Sequence, residues 1–350
     1  MSTRTFPDTP THPGLEVADT VEIATVHRST MVESRHLGAA VVTGPDGHPL
    51  AVLGHGHGVV FPRSALKPFQ AATSLSCGAP IQWEQIAVAA GSHQATPEHV
   101  DSVRGILHKS ALDESALQCP AVRRRHAGEQ EEASPLHHPC SGKHAAFLAA
   151  CQESHWDPTS YLDARHPLQR EVLSTVTQIA GEEPALVGLD GCGAPVPALS
   201  LIALGRMYAA LGGAAYNVHA DARLATVATA MLDYPEFVHA PGAADTVIME
   251  QLGIISKFGA EGVLCLATRS GVSVVIKTLD GSGRANHLVG LELLIASGAV
   301  DATAGRQVIR RLTETTGAQD PSVFFALGES ARHAVHTLET ERPLVRGRTR

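Results

Sequence analysis

The sequence predicts a mixed α/β (α+β) fold: an antiparallel sheet built from both chain ends, helices packed on it, and a mostly helical subdomain between. Three observations predict it. Short β-branched stretches crowd the first 60 residues, a second set returns near residues 263–277, and the residues between carry apolar positions at helical spacing. At 350 residues the chain has room for one large domain or two small ones. We expect one domain over residues 19–340. Its sheet subdomain spans about 19–63 and 240–340, and its helical subdomain about 64–239. Residues 1–18, polar and rich in Pro and Thr, are expected to be a disordered tail, and the basic residues 341–350 a frayed one.

The elements follow in order. Residues 21–26 alternate and are β-branched, so they read as a strand. Residues 38–43 and 49–53 read as two more, joined by the turn Gly44-Pro45-Asp46-Gly47. His55-Gly56-His57-Gly58 is a loop in which two histidines can also share a metal. Phe61-Pro62-Arg63-Ser64-Ala65-Leu66-Lys67-Pro68 leads into an apolar run and reads as a loop entering a helix. Helices are expected at 82–90, 98–109, 145–151, 162–179 and 196–211, a short strand at 185–189, and a helix at 222–232. Residues 119–133, polar and charged, read as a solvated loop. A hairpin over 263–267 and 272–277 precedes helices at 286–296 and 304–315.

Composition narrows the function classes. Hydrophobic residues make 44% of the chain and charged ones 18%, which suits a buried core. The net charge is -8 and the basic residues are dispersed, so no nucleic-acid surface is expected. Apolar runs are short and interrupted, so no membrane span is expected, and the start does not read as a signal peptide. A cytoplasmic location follows by default. The six cysteines are then expected as reduced core thiols, metal ligands or a reactive thiol rather than a disulfide framework.

Five segments can carry chemistry. Ser64 and Lys67 sit three apart, so on a helix they share a face. A serine attacks only after a base takes its proton, and a lysine is that base only when burial or a nearby cation lowers its pKa. The bland alternative is a capping serine and a surface lysine. Cys140 and Cys192 each sit at a Gly-containing helix entry, with Lys143 and His144 beside the first and Asp190 beside the second. Thiolates there suit zinc, and the alternative is two small buried residues. Ser92-His93 follows a glycine. Lys257-Phe258-Gly259 stands at a strand edge, where penicillin-recognising serine enzymes place a lysine opposite their nucleophile.

In this order, Arg63-Ser64-Ala65-Leu66-Lys67-Pro68, Gly91-Ser92-His93, Cys140-Ser141-Gly142-Lys143-His144, Asp190-Gly191-Cys192-Gly193-Ala194-Pro195 and Lys257-Phe258-Gly259-Ala260-Glu261-Gly262 resemble the rhizobial-type L-asparaginases. The resemblance runs from about residue 21 to about residue 328. It implies a fold like that of serine β-lactamases and glutaminases, and hydrolysis of L-asparagine to L-aspartate and ammonia. It implies Ser64 as nucleophile, Lys67 as its base, and Ser92 with Lys257 as a second Ser–Lys pair. It also implies zinc on Cys140, Lys143 and Cys192, with Asp190 and His144 beside it, and a homodimer. Arg63 is the nearest cation for the substrate α-carboxylate, and Asp190 can take its α-ammonium. A glutaminase or other serine amidase on the same fold, and a non-catalytic amino-acid- or zinc-binding protein, are the alternatives.

Overall fold

The computed structural model of the protein describes residue 12 and residues 14–124, 132–315 and 322–341. The expected tails therefore fall largely outside the described residues, as do 125–131 of the expected polar loop. Among the first described residues, Leu15 packs against the core and Val17–Asp19 forms a short 3-10 turn. Then come β1 (Val21–Arg28), β2 (Met31–Thr43), β3 (Pro49–Leu53) and β4 (Val59–Val60). The helical middle holds α1 (Lys67–Ser76), α2 (Glu84–Ala90), α3 (Pro97–Lys109), α4 (Ser141–Glu153) and α5 (Pro167–Ala180). It continues through β5 (Leu186–Leu189), β6 (Pro195–Ser200), α6 (Leu201–Ala214), α7 (Ala222–Asp233), α8 (Pro235–Val238) and α9 (Ala244–Leu252). The last part is β7 (Ile255–Gly259), β8 (Val263–Ala267), β9 (Ser273–Thr278), α10 (Asn286–Ser297), α11 (Ala302–Thr315), β10 (Val323–Leu327) and α12 (Glu329–Thr340).

The main sheet runs β10-β1-β2-β9-β8-β7, with β3 also on β2, and every pairing is antiparallel. It is thus made from both chain ends, the architecture the sequence predicts. Its central strands β8 and β9 and the second half of β2 read as continuous apolar runs because both faces are covered there. Ala40, Val42, Leu264, Leu266, Val274 and Ile276 pack with Val289, Leu293 and Leu294 of α10. Their strand neighbours Ala39, Val41, Val263, Cys265 and Val275 join the other cluster, with Phe69, Phe147 and Leu204 of the helical middle. That is the two-residue alternation of a strand. Among the described residues no helix is long and apolar enough to cross a membrane.

The helix expected over residues 196–211 needs correction. Its first part is the strand β6, and α6 begins only at Leu201. Pro195 and Pro197 keep the chain extended, since each disfavours the α region in the residue before it. Both pair with β5, at Leu189 and Val187, while β4 meets β6 only at Leu199 and Ser200. The prolines therefore occupy the part of β6 that β4 does not reach. Ser200 then caps α6, its hydroxyl accepting from the Ala203 N–H at 3.0 Å.

Candidate active site

Ser64 does not lie on the regular helix expected for it. Arg63–Leu66 forms a 3-10 turn, and α1 begins at Lys67. Arg63 has a φ of +52°, a left-handed backbone that a non-glycine residue holds only under constraint. Two contacts supply constraint. The Tyr208 hydroxyl of α6 donates to the Ala65 carbonyl at 2.7 Å, and Arg63 Nε donates to Asp190 Oδ1 at 2.7 Å. Sequence reasoning missed Tyr208, because nothing local marks a tyrosine whose partner lies 143 residues away.

Lys67 is buried and its amine is fully engaged. Nζ lies 2.6 Å from the Gly91 carbonyl, 2.8 Å from the Pro139 carbonyl and 3.0 Å from Ser92 Oγ. None of these three contacts is to Ser64, the partner expected from spacing. The two carbonyls can only accept. A neutral amine that gives both its N–H groups to them turns its lone pair toward Ser92, and an ammonium donates to all three. Burial pushes the Lys67 pKa down, Cys140 opposes that, and Lys143 adds to it. The structure thus joins one member of each expected pair, Lys67 and Ser92. Lys257, wholly buried in β7, donates to the Phe258 carbonyl at 2.8 Å. Burial lowers its pKa to about 7 against the pull of Asp245, with Lys67 adding to the depression.

Two glycines explain why the motifs meet. A Cβ on Gly142 would lie 2.4 Å from the Val88 carbonyl, so only glycine lets the start of α4 press onto α2. That contact sets the Cys140 turn beside Gly91 and Ser92 at the end of α2. A Cβ on Gly259 would lie 2.4 Å from the Pro62 carbonyl, which brings β7 against the Ser64 turn. Gly142→Ala is expected to lower stability by about 1–3 kcal/mol, the usual range for forcing a methyl into a packed contact. A thermal melt identical to wild type would show that α4 can slide without loss.

Cys140, Cys192 and Asp190 form a cluster whose ligand atoms all lie within 4.8 Å of one another. Lys143 Nζ is 3.1 Å from Cys192 Sγ. The two thiols share their environment unequally. The Cys192 contact, then Lys67, His138 and Lys143, outweigh burial and hold Cys140 well below the usual thiol range, while Cys192 is pushed up. Burial works against the Lys143 ammonium, but Cys192, Cys140 and Asp190 outweigh it and raise its pKa. Two sulfurs with a carboxylate and an amine are a donor set that suits a soft or borderline divalent metal.

Arg63 and Asp190, assigned to opposite ends of a substrate, are paired with each other. Asp190 Oδ1 also accepts from the Gly191 N–H at 2.9 Å. Burial disfavours the ionised carboxyl, but Lys143 and Arg63 outweigh it and hold its pKa low. His144 turns Nδ1 to the Tyr161 hydroxyl at 2.6 Å, and its buried Nε2 has no partner among the described residues. Burial keeps it neutral, its pKa well below the usual histidine value. A further buried acid, Asp245, lies near Lys257. Sequence reasoning missed it, because its partners Ser256 and Phe258 lie more than ten residues away.

A sequence model of the family described as L-asparaginase II matches residues 24–321. No curated protein sequence matches. Solved structures that resemble the chain include Mglu in its native form, 14% identical over 79% of this chain and 63% of that one, with a TM-score of 0.40. The chain thus spans less than two thirds of the length of Mglu. Others are a β-lactamase from Mycobacterium bovis (16% identity, 79% of this chain, 95% of that one, TM-score 0.32) and a Bacillus glutaminase (11%, 81%, 91%, 0.38). The family match takes in every motif segment described above, and the chain belongs to the L-asparaginase II family.

Proposed function

We propose that the protein is an L-asparagine amidohydrolase, converting L-asparagine and water to L-aspartate and ammonia. The observation that carries this reading is the buried Lys67 amine against Ser92, one turn of chain from Ser64, in a member of this family. Ser64 Oγ attacks the side-chain amide carbon as its proton goes to neutral Lys67, whose lone pair swings from Ser92 to Ser64 for this step. Ser92 passes a proton from the Lys67–Lys257 network to the leaving nitrogen, and ammonia departs. Water then adds to the ester with the same amine as base, and aspartate leaves. Arg63 spends Nε on Asp190, which leaves its two terminal nitrogens for the α-carboxylate. In this reading Asp190 Oδ2, which the Cys192 thiol approaches at 3.7 Å, takes the α-ammonium, and His144 Nε2 takes a polar group of the substrate.

Cys140, Lys143 and Cys192 would hold zinc, with Asp190 beside them. When bound, the ion supplies a fixed positive charge that orients the substrate's polar end. The protein acts as a homodimer in this reading. A second assignment is favoured by the 3.0 Å Lys67–Ser92 contact: Ser92 attacks, and Lys67 is its base. Quenching turnover and mapping the acylated peptide separates the two. Ammonia release from asparagine should exceed that from glutamine by at least about tenfold, since one methylene changes binding by about 1–3 kcal/mol. Equal or faster release from glutamine would make the protein a glutaminase.

A further inference from the structure

Asp245 is a wholly buried carboxylate in the first turn of α9, and none of the steps above uses it. Both its oxygens are engaged on β7. Oδ1 accepts from the Ser256 hydroxyl at 2.7 Å, and Oδ2 accepts from the Phe258 N–H at 3.1 Å. Ser256 and Phe258 flank Lys257. Since β7 is the last strand of the sheet, the Phe258 N–H is an outer-edge group that the sheet does not satisfy. Asp245 satisfies it and clamps the strand on both sides of the lysine. Its Oδ2 also stands 3.9 Å from Lys257 Nζ. A buried carboxylate this close is an unscreened counter-charge.

We propose that Asp245 is the positioning residue for Lys257, fixing the strand that presents the amine and holding it as the amine's counter-ion. This rests on the reading of Lys257 as part of the reacting network. The groups facing the pair from other elements do not replace Asp245. His239, before α9, lies 3.9 Å from Asp245 and is held by burial at about 4. His287 on α10 is likewise lowered by burial, and the Cys265 thiol on β8 is pushed up by it, so all three are uncharged near neutrality. Lys67 opposes the Lys257 charge and Cys140 favours it. Asp245 is the one carboxylate within 4 Å of the amine among the described residues. The pairing is mutual: burial works against ionised Asp245, and Lys257 first among its neighbours outweighs that.

The test is Asp245→Asn in the full-length enzyme. Asparagine keeps the shape and an oxygen for the Phe258 N–H but removes the charge. In protein labelled with 13C-lysine, the Lys257 ε-carbon resonance is assigned by its loss in Lys257→Met. In Asp245→Asn it should titrate about one pH unit or more below wild type, and the matching limb of the kcat/KM profile should move down with it. Ser256→Ala, which loosens the clamp but keeps the charge, should give a smaller shift in the same direction. An unmoved resonance in a folded Asp245→Asn, or in Ser256→Ala if the first variant fails to fold, would overturn the proposal. Full asparagine turnover by Lys257→Met would instead remove the catalytic reading of Lys257. The resonance would still decide whether Asp245 is its counter-ion.

Discussion

Ser64→Ala is expected to abolish ammonia release from L-asparagine, with kcat falling by about 10⁴-fold or more, while the protein stays folded. The hydroxyl is half-buried and does not cap its turn, so its loss removes little that holds the fold. The turn is secured from elsewhere, by Tyr208 on the Ala65 carbonyl and by the Arg63–Asp190 pair. The melting temperature should therefore change by no more than a degree or two. Ser92→Ala should also be severe, because it removes the only hydroxyl among the three contacts of the Lys67 amine. What separates the two serines is the residue that becomes acylated. A Ser64→Ala enzyme that still turns over and acylates at Ser92, with Ser92→Ala dead, would make Ser92 the nucleophile and Lys67 its base.

The mixed α/β fold and its antiparallel sheet are legible in the sequence because their signals are local. Apolar runs over 263–267 and 272–277 and the Gly44–Gly47 turn carry them. The 196–211 stretch misleads because its apolar residues keep helical spacing while Pro195 and Pro197 impose extension, and the prolines win. In the site, spacing names Lys67 but cannot name its partners. Those depend on Gly142 admitting α4 onto α2, which brings Pro139, Gly91 and Ser92 around one amine. In the same way Arg63 and Asp190 look like two separate substrate handles in sequence, 127 residues apart, and fold into one ion pair. Asp245 is invisible to spacing arguments because its partners, Ser256 and Phe258, are reached across a turn between a helix and an edge strand.

Cys192→Ser is expected to strip most of the zinc from the purified protein, with occupancy falling about tenfold or more, since a hydroxyl is a far poorer ligand than a thiolate. The cluster geometry motivates this: Cys140, Asp190 and Cys192 have ligand atoms within 4.8 Å of one another, and Lys143 Nζ is 3.1 Å from Cys192 Sγ. Cys77→Ser and Cys151→Ser should leave zinc unchanged, because both thiols lie outside the cluster. Zinc affinity should climb with pH, because a thiol and an ammonium must each give up a proton to become ligands. Removing the metal should raise KM more than it lowers kcat, since nucleophile and base are supplied by Ser64 and Lys67. Elemental analysis with equal zinc in wild type and Cys192→Ser would remove the site. A metal-free enzyme with unchanged KM and no turnover would make the ion the catalyst, and the serine would lose its role.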